Sequence, residues 1–195
     1  MIRTTLIALC FCSLAACTSA NKVDLKYAPT SAIQPAPANA TVKVGSFVDS
    51  RGETKTWVGT IRGGFGNHLK DLDTGEPVST VVEQAFNDAL KARGVDVNSH
   101  NAPFQISGVI KNLIGDQVVR REANAAIDVS VIDNSNGQKR FSQTYTANVV
   151  DGSALSMSTG VFASVEDLRA VIEKALREAV DKALDDSALR AALKI

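Results

Sequence analysis

The chain has 195 residues, with 21 Lys and Arg against 21 Asp and Glu and a formal net charge of zero. That balance excludes the strong basic field of a nucleic-acid binder and gives no reason to expect an acidic substrate. Hydrophobic residues make up 45% and aromatics only 5%, so the length and composition suit one globular domain with few aromatics in its core.

Arg3, the apolar stretch Leu6 to Leu14 and the small residues Ala15 and Ala16 read as a secretory signal peptide. The apolar run is about ten residues, half of what a membrane-spanning helix needs. Leu14-Ala15-Ala16-Cys17 resembles the lipobox of bacterial lipoproteins. The resemblance implies cleavage before Cys17 and acylation of Cys17 with several chains, palmitate among them. One acyl chain binds a membrane marginally, and several hold it stably. Thr18 stands where Asp would imply retention at the inner membrane, so the expected address is the outer membrane, with the domain in the periplasm. Cys10 and Cys12 leave with the signal peptide, so the mature chain has no thiol for a disulfide, a metal or catalysis. Residues 1–16 are thus expected to be the signal peptide and 17–39, rich in Ala, Pro, Ser and Asn, an acylated Cys with a flexible tether. Residues 40–195 are then a single domain.

Thr41 to Val48 alternates apolar and polar, as a half-buried strand does, and Asp49-Ser50-Arg51-Gly52 ends it. Thr56 to Ile61 reads as a second short strand, and Arg62 to Glu76 as a Gly-rich loop with an acidic end. From Pro77, Val78, Val81, Val82, Ala85, Phe86, Ala89 and Leu90 recur at helical spacing up to Gly94, which predicts an amphipathic helix with a glycine stop. Val95 to Val97 is a strand stub. Phe104 to about Asp116, Ala123 to Ile132 and Lys139 to Val150 read as three strands, the last two joined by a hairpin at Asn136-Gly137. Ser164 with Asp167 forms a capping-box-like start to a second helix whose apolar stripe runs from Leu168 to Leu184. Ser187 to Lys194 is a last short turn. The order predicts an α+β fold, a mainly antiparallel sheet of four to five strands with two amphipathic helices packed on one face. Lys43, Ser46, Gln105, Ser107, Asp128, Ser130 and Gln143 are expected on a solvated opposite face.

The lipobox, the tether, Val48-Asp49-Ser50-Arg51, Ala92-Arg93-Gly94, Ala126 to Val131, Asn136-Gly137 with Lys139 and Tyr145, and the final helix together resemble the YajG-type lipoprotein family. The resemblance covers most of the chain and implies no catalytic residues. The Gly63-Gly64-Phe65-Gly66 insert departs from that pattern.

No other motif carries chemistry. Gly63 to His68 lacks the Lys-Ser/Thr pair of a phosphate loop and reads as a flexible lid or contact loop. Asp71 to Glu76 only echoes a calcium loop, with its Gly misplaced and Val82 at the bidentate Glu position. His68 and His100 alone make no zinc set, and neither Gly152-Ser153-Ala154 nor Ser158-Thr159-Gly160 is a nucleophile elbow. Asp49 with Arg51 suits an ion pair closing the strand. Aromatics and Arg are enriched at interfaces, so Arg51, Trp57, Arg62 and Phe65 are the candidate contact surface. Two readings follow, neither enzymatic and neither needing a cofactor or a metal. One is a membrane-anchored interaction module docking on an unidentified envelope protein. The other is a carrier binding a lipid or small amphiphile between sheet and helices.

Overall fold

The structure is a computed structural model that describes residues 20–29, 33–152 and 163–195. The described residues form ten elements. These are β1 (Ala20–Lys22), β2 (Lys43–Asp49), β3 (Trp57–Arg62), β4 (His68–Asp73), α1 (Val78–Ala92), β5 (Phe104–Gln117), β6 (Arg121–Asp133), β7 (Lys139–Asp151), α2 (Val165–Asp185) and α3 (Ser187–Leu193).

The elements read from periodicity lie where alternation and helical spacing place them, and their ends have local causes. At the end of α1, the Val95 amide bonds the Leu90 carbonyl and the Gly94 amide bonds Lys91. Gly94 sits at φ +82°, the left-handed position that this closure requires and that glycine occupies without a Cβ clash. Ser164 caps α2 by accepting the Asp167 amide at 3.2 Å. Asp186 ends α2 in extended conformation and caps α3 through the Ala188 amide, so the last turn is a separate helix.

The fold is α+β, but the sheet has seven strands and is mixed. The expected four to five mainly antiparallel strands are corrected in two ways. Residues 68–73, expected within a loop, form β4, antiparallel to β3. Three pairings are parallel: β1 on β4, β2 on β5 and β3 on β5. β2 and β3 share one edge of the long β5, β2 along Gln105–Ile110 and β3 along Gly115–Gln117. The antiparallel β5–β6–β7 meander fills the other side.

One face of the sheet carries the core. Ile106, Ile110 and Leu113 of β5 lie with Ala125, Ile127 and Val129 of β6 under the helices, all at most 2% exposed. The α2 stripe, Leu168 to Leu184, covers them. At Gly115 a Cβ would come within 2.5 Å of Ile172, so this glycine lets α2 approach the strand. α1 packs beside α2 and stacks Phe86 on Phe47 of β2 at 4.8 Å between ring centroids. On the opposite face, cross-strand polar pairs line β6 and β7: Asn124–Asn148, Asp128–Thr144 and Ser130–Ser142. Gln143 is a correction. It pairs with Val129 and therefore stands on the helix face, where it bonds Asp186.

The tether reading fails for residues 20–29 and 33–39. β1 adds a strand to the sheet edge. Val23, Leu25 and Tyr27 are buried at 6–7% exposure. Their alternation with Asp24 and Lys26 is the two-residue period of a half-buried extended segment, short enough to be lost among polar neighbours. Arg169 donates to the Asp24 carbonyl and the Lys26 amide donates to Glu173, which fixes this strap on α2. Further on, Arg190 donates to the carbonyls of Gln34 and Pro35, and the Ala36 amide donates to the Arg93 carbonyl.

Candidate functional site

The four contact candidates part company in three dimensions. Arg51 is not a surface residue, and its inclusion in a contact surface is corrected. Its side chain is fully buried and grips both Asp49 oxygens at 2.9 Å in a two-pronged pair. The same guanidinium donates to the carbonyls of Trp57 and Leu113. Arg51 thus ties the end of β2 to β3 and β5, and its bonds hold the Asp49 carboxyl below the usual range. Trp57 is half-buried at the start of β3, with its indole nitrogen 3.5 Å from Asp71.

Arg62 and Phe65 stand at one turn, between β3 and β4. Arg62 ends β3 and bonds Asp116 of β5 at 2.6 Å. Residues 63–67 turn back into β4, closed by bonds from the Gly63 amide to the Asn67 carbonyl and from the Gly66 amide to the Gly63 carbonyl. Gly66, at φ +82°, permits the turn. This geometry thrusts Phe65 entirely into solvent, at 103% exposure. The neighbouring β5–β6 turn adds exposed Val118 and Val119, which flank a shallow groove of about 270 Å³ shared with Asp116, Arg120 and Glu122. Val150, opposite Glu122 at the end of β7, is also exposed. Sequence reading found Phe65 but missed the three valines, because only strand register brings them to one end.

The remaining candidates are structural. The acidic stretch is largely strand: Asp71 faces Trp57, and Asp73 accepts the Thr56 hydroxyl at 2.9 Å. His68 opens β4, 3.3 Å from Asp71, and His100 is exposed in a turn. Among the described residues no group of three His, Cys, Asp or Glu could hold a metal ion. Cys17, Ser153, Ala154, Ser158, Thr159 and Gly160 lie outside the described residues.

The strongest perturbed groups form a node that sequence reading missed. The fully buried Arg93 side chain bonds Asp185 at 2.8 Å, Asp181 at 3.1 Å and the Tyr27 hydroxyl at 3.2 Å. Burial opposes its charge, but the bonds with Asp185, Tyr27 and Asp181 prevail and its pKa is raised. Burial, and then the bond to Asp181, pushes the Tyr27 phenol up to about 12. Tyr145 is raised too, by burial and then by its bond to Asp186. Arg93 and Tyr27 tie the end of α1 and the N-terminal segment to Asp181 and Asp185 of α2, and Tyr145 ties β7 to Asp186. Between sheet and helices, Leu113, Ile127, Ile172 and Leu176 are at most 1% exposed. Two further grooves, of about 470 and 380 Å³, lie on the surface among charged side chains such as Glu53, Lys55, Arg169 and Glu173.

The uncharacterised lipoprotein family matches this sequence over residues 28–194. The chain belongs to that family. Membership implies a lipid anchor on a membrane, and among the described residues no helix is long and apolar enough to cross one. No curated protein matches the chain. Among solved structures it is similar to XCC0632 of Xanthomonas campestris, at 16% identity and a TM-score of 0.60, covering 86% of this chain and 97% of that one. A second, an uncharacterised protein, shares 7% identity at a TM-score of 0.52, with 86% and 96% covered. A PelC dodecamer from Paraburkholderia phytofirmans matches at 18% identity and a TM-score of 0.45, with 77% and 93% covered. At such identities the first two show a shared fold and nothing about activity.

Proposed function

We propose that this lipoprotein is anchored through acylated Cys17 to the periplasmic side of the outer membrane and acts as a non-catalytic interaction module of an envelope complex, of the YajG type. The strap carries this reading. Three residues after Cys17 the chain enters the sheet edge as β1, and Val23, Leu25 and Tyr27 then bind it to the domain. A lipid on Cys17 would therefore hold the whole domain at the membrane rather than on a long leash. The non-catalytic role is supported by the destinations of four perturbed side chains, Arg93, Tyr27, Tyr145 and Asp49, each of which is engaged in holding separate segments together. Contacts with an envelope protein fall to the open face of β6 and β7, where Asp128 and Thr144 are already oriented by their mutual bond at 2.6 Å.

The test has two parts. Cys17→Ala moves the protein from the membrane fraction to the soluble one and abolishes the acyl mass on its N-terminal peptide. A photo-crosslinking residue at Thr144, in the native host, captures one dominant envelope protein. Retention of the variant on membranes sinks the anchor assignment. Adducts confined to lipid, with the protein folded and abundant, sink the module in favour of a carrier.

A further inference from the structure

We infer that the end of the sheet formed by residues 63–67 and the β5–β6 turn lies in the bilayer interface, with Phe65 inserted between lipid headgroups. This rests on acylation of Cys17 and goes further, because it assigns the orientation of the domain and one lipid-contacting side chain.

The first observation is where the anchor can be. β1 runs parallel to β4, with Ala20 opposite Asp71. β4 leaves the tip turn at His68, so Ala20 is the tip-side end of β1. Three peptide links separate Cys17 from Ala20, and even fully extended they keep the two Cα atoms within about 11 Å. From Asp71 back to His68 is also about 10 Å of strand. The anchor can therefore reach the level of the tip and little beyond. β5 alone has 14 residues, roughly 45 Å at strand spacing, so the hairpin end at residues 134–138 is out of reach of a bilayer that holds Cys17.

The second observation is what occupies that end. Among the described residues, five large hydrophobic side chains are exposed: Val48, Phe65, Val118, Val119 and Val150. Four of the five stand at the tip. β3 and β5 end together, with Ile61 opposite Gln117, so Phe65 and the two turn valines project from adjacent turns. Val150 lies beside them through its pairing with Glu122. The opposite end, Asp133-Asn134-Ser135-Asn136-Gly137, is wholly polar. An aromatic and small aliphatic patch within reach of an acyl anchor suits an interface in which apolar groups bury by about 5–10 Å.

The third observation is charge. The cations around the tip are matched: Arg62 by Asp116 at 2.6 Å, Arg120 by Glu122 at 3.0 Å, and Arg121 by Asp167 at 2.7 Å. The contact therefore needs no anionic lipid and resists salt. The neighbouring sheet edge is a poorer candidate, since Asp24 and Lys26 stand there with side chains 69% and 76% exposed.

The mature chain has no free thiol if Cys17 is acylated, so Phe65→Cys supplies a single spin-label site. The acylated protein is purified from membranes and reconstituted in vesicles of phosphatidylethanolamine and phosphatidylglycerol, with Ser135→Cys as the distal reference. Flotation and the acyl mass are checked on both. The expected result is a ratio of oxygen to nickel-chelate relaxation several-fold higher at position 65 than at 135, unchanged in high salt. A floating, acylated protein whose label at 65 is as open to nickel as that at 135 overturns the inference alone. A label at 65 shielded from both reagents overturns it in favour of a protein partner. A protein with no acyl mass that fails to float removes the anchor reading, and the inference with it.

Discussion

The strap and the tip look alike in sequence and behave oppositely in the fold. Both lack long periodic runs, and both carry turn-forming residues, prolines in one and glycines in the other. Residues 20–29 and 33–40 are nevertheless bound to the body, with Val23, Leu25 and Tyr27 buried and the backbone held by Arg169, Arg190 and Glu173. Residues 63–67 close on themselves and hold Phe65 in solvent. An irregular segment becomes structure when buried donors lie along its path, and becomes a free surface when its bonds are internal. With Cys17 acylated as proposed, the bound segment would adjoin the anchor, while the free one carries the apolar patch.

Substitutions that separate the two regions range from large to nil. Arg93→Ala has the largest expected effect, because it leaves Asp181 and Asp185 without their buried partner. A loss of about 3 kcal/mol in urea unfolding is expected, the lower part of the range for a broken buried pair since both carboxylates keep some solvent. A loss under 0.5 kcal/mol would mean that the strap and helices do not depend on this node. Leu25→Ala follows, at about 2 kcal/mol for a buried leucine truncated in the core. A flexible tether would lose nothing, so this variant decides between the strap and the tether.

Tyr27→Phe is smaller, about 1 kcal/mol at neutral pH, for hydroxyl bonds to Asp181 and Arg93. It also has a pH signature. The phenol is raised from 10.0 to about 12 in the folded state, so the native protein holds this proton more tightly than the unfolded chain. That contribution is intact below pH 10 and is lost as the pH rises towards 12. Thermal unfolding across that window should fall more steeply for the wild type than for Tyr27→Phe, and parallel curves would refute the assignment. Phe65→Ala comes last. Its side chain contacts little, so urea stability should stay within about 0.5 kcal/mol. A larger loss would show that the tip is part of the core after all.

Local signals were sufficient for much of this molecule. The apolar stripes of α1 and α2, the Gly94 stop, the Ser164 cap and the Asn136-Gly137 hairpin each depend on residues a few positions apart, and such short-range physics is written in the chain. The Asp49–Arg51 pair is two residues long and was legible for the same reason. The burial of that pair was not, because Trp57 and Leu113 supply its surroundings from other strands. Parallel pairings carry no turn signature, so the sharing of β5 by β2 and β3 and the docking of β1 on β4 left no local trace. Gln143 was misplaced by its polarity alone, since the two-residue period of β7 already puts it on the side of Phe141 and Tyr145.

The sequence by itself determined the lipoprotein class and the identity of most elements, since each follows from composition or near-neighbour spacing. Tertiary structure alone decided the seven-strand mixed sheet, the strap, the Arg93–Tyr27–Asp181–Asp185 node and the gathering of Phe65, Val118, Val119 and Val150 at one end. Those features join residues tens of positions apart, and only strand register and helix packing bring them within reach of one another.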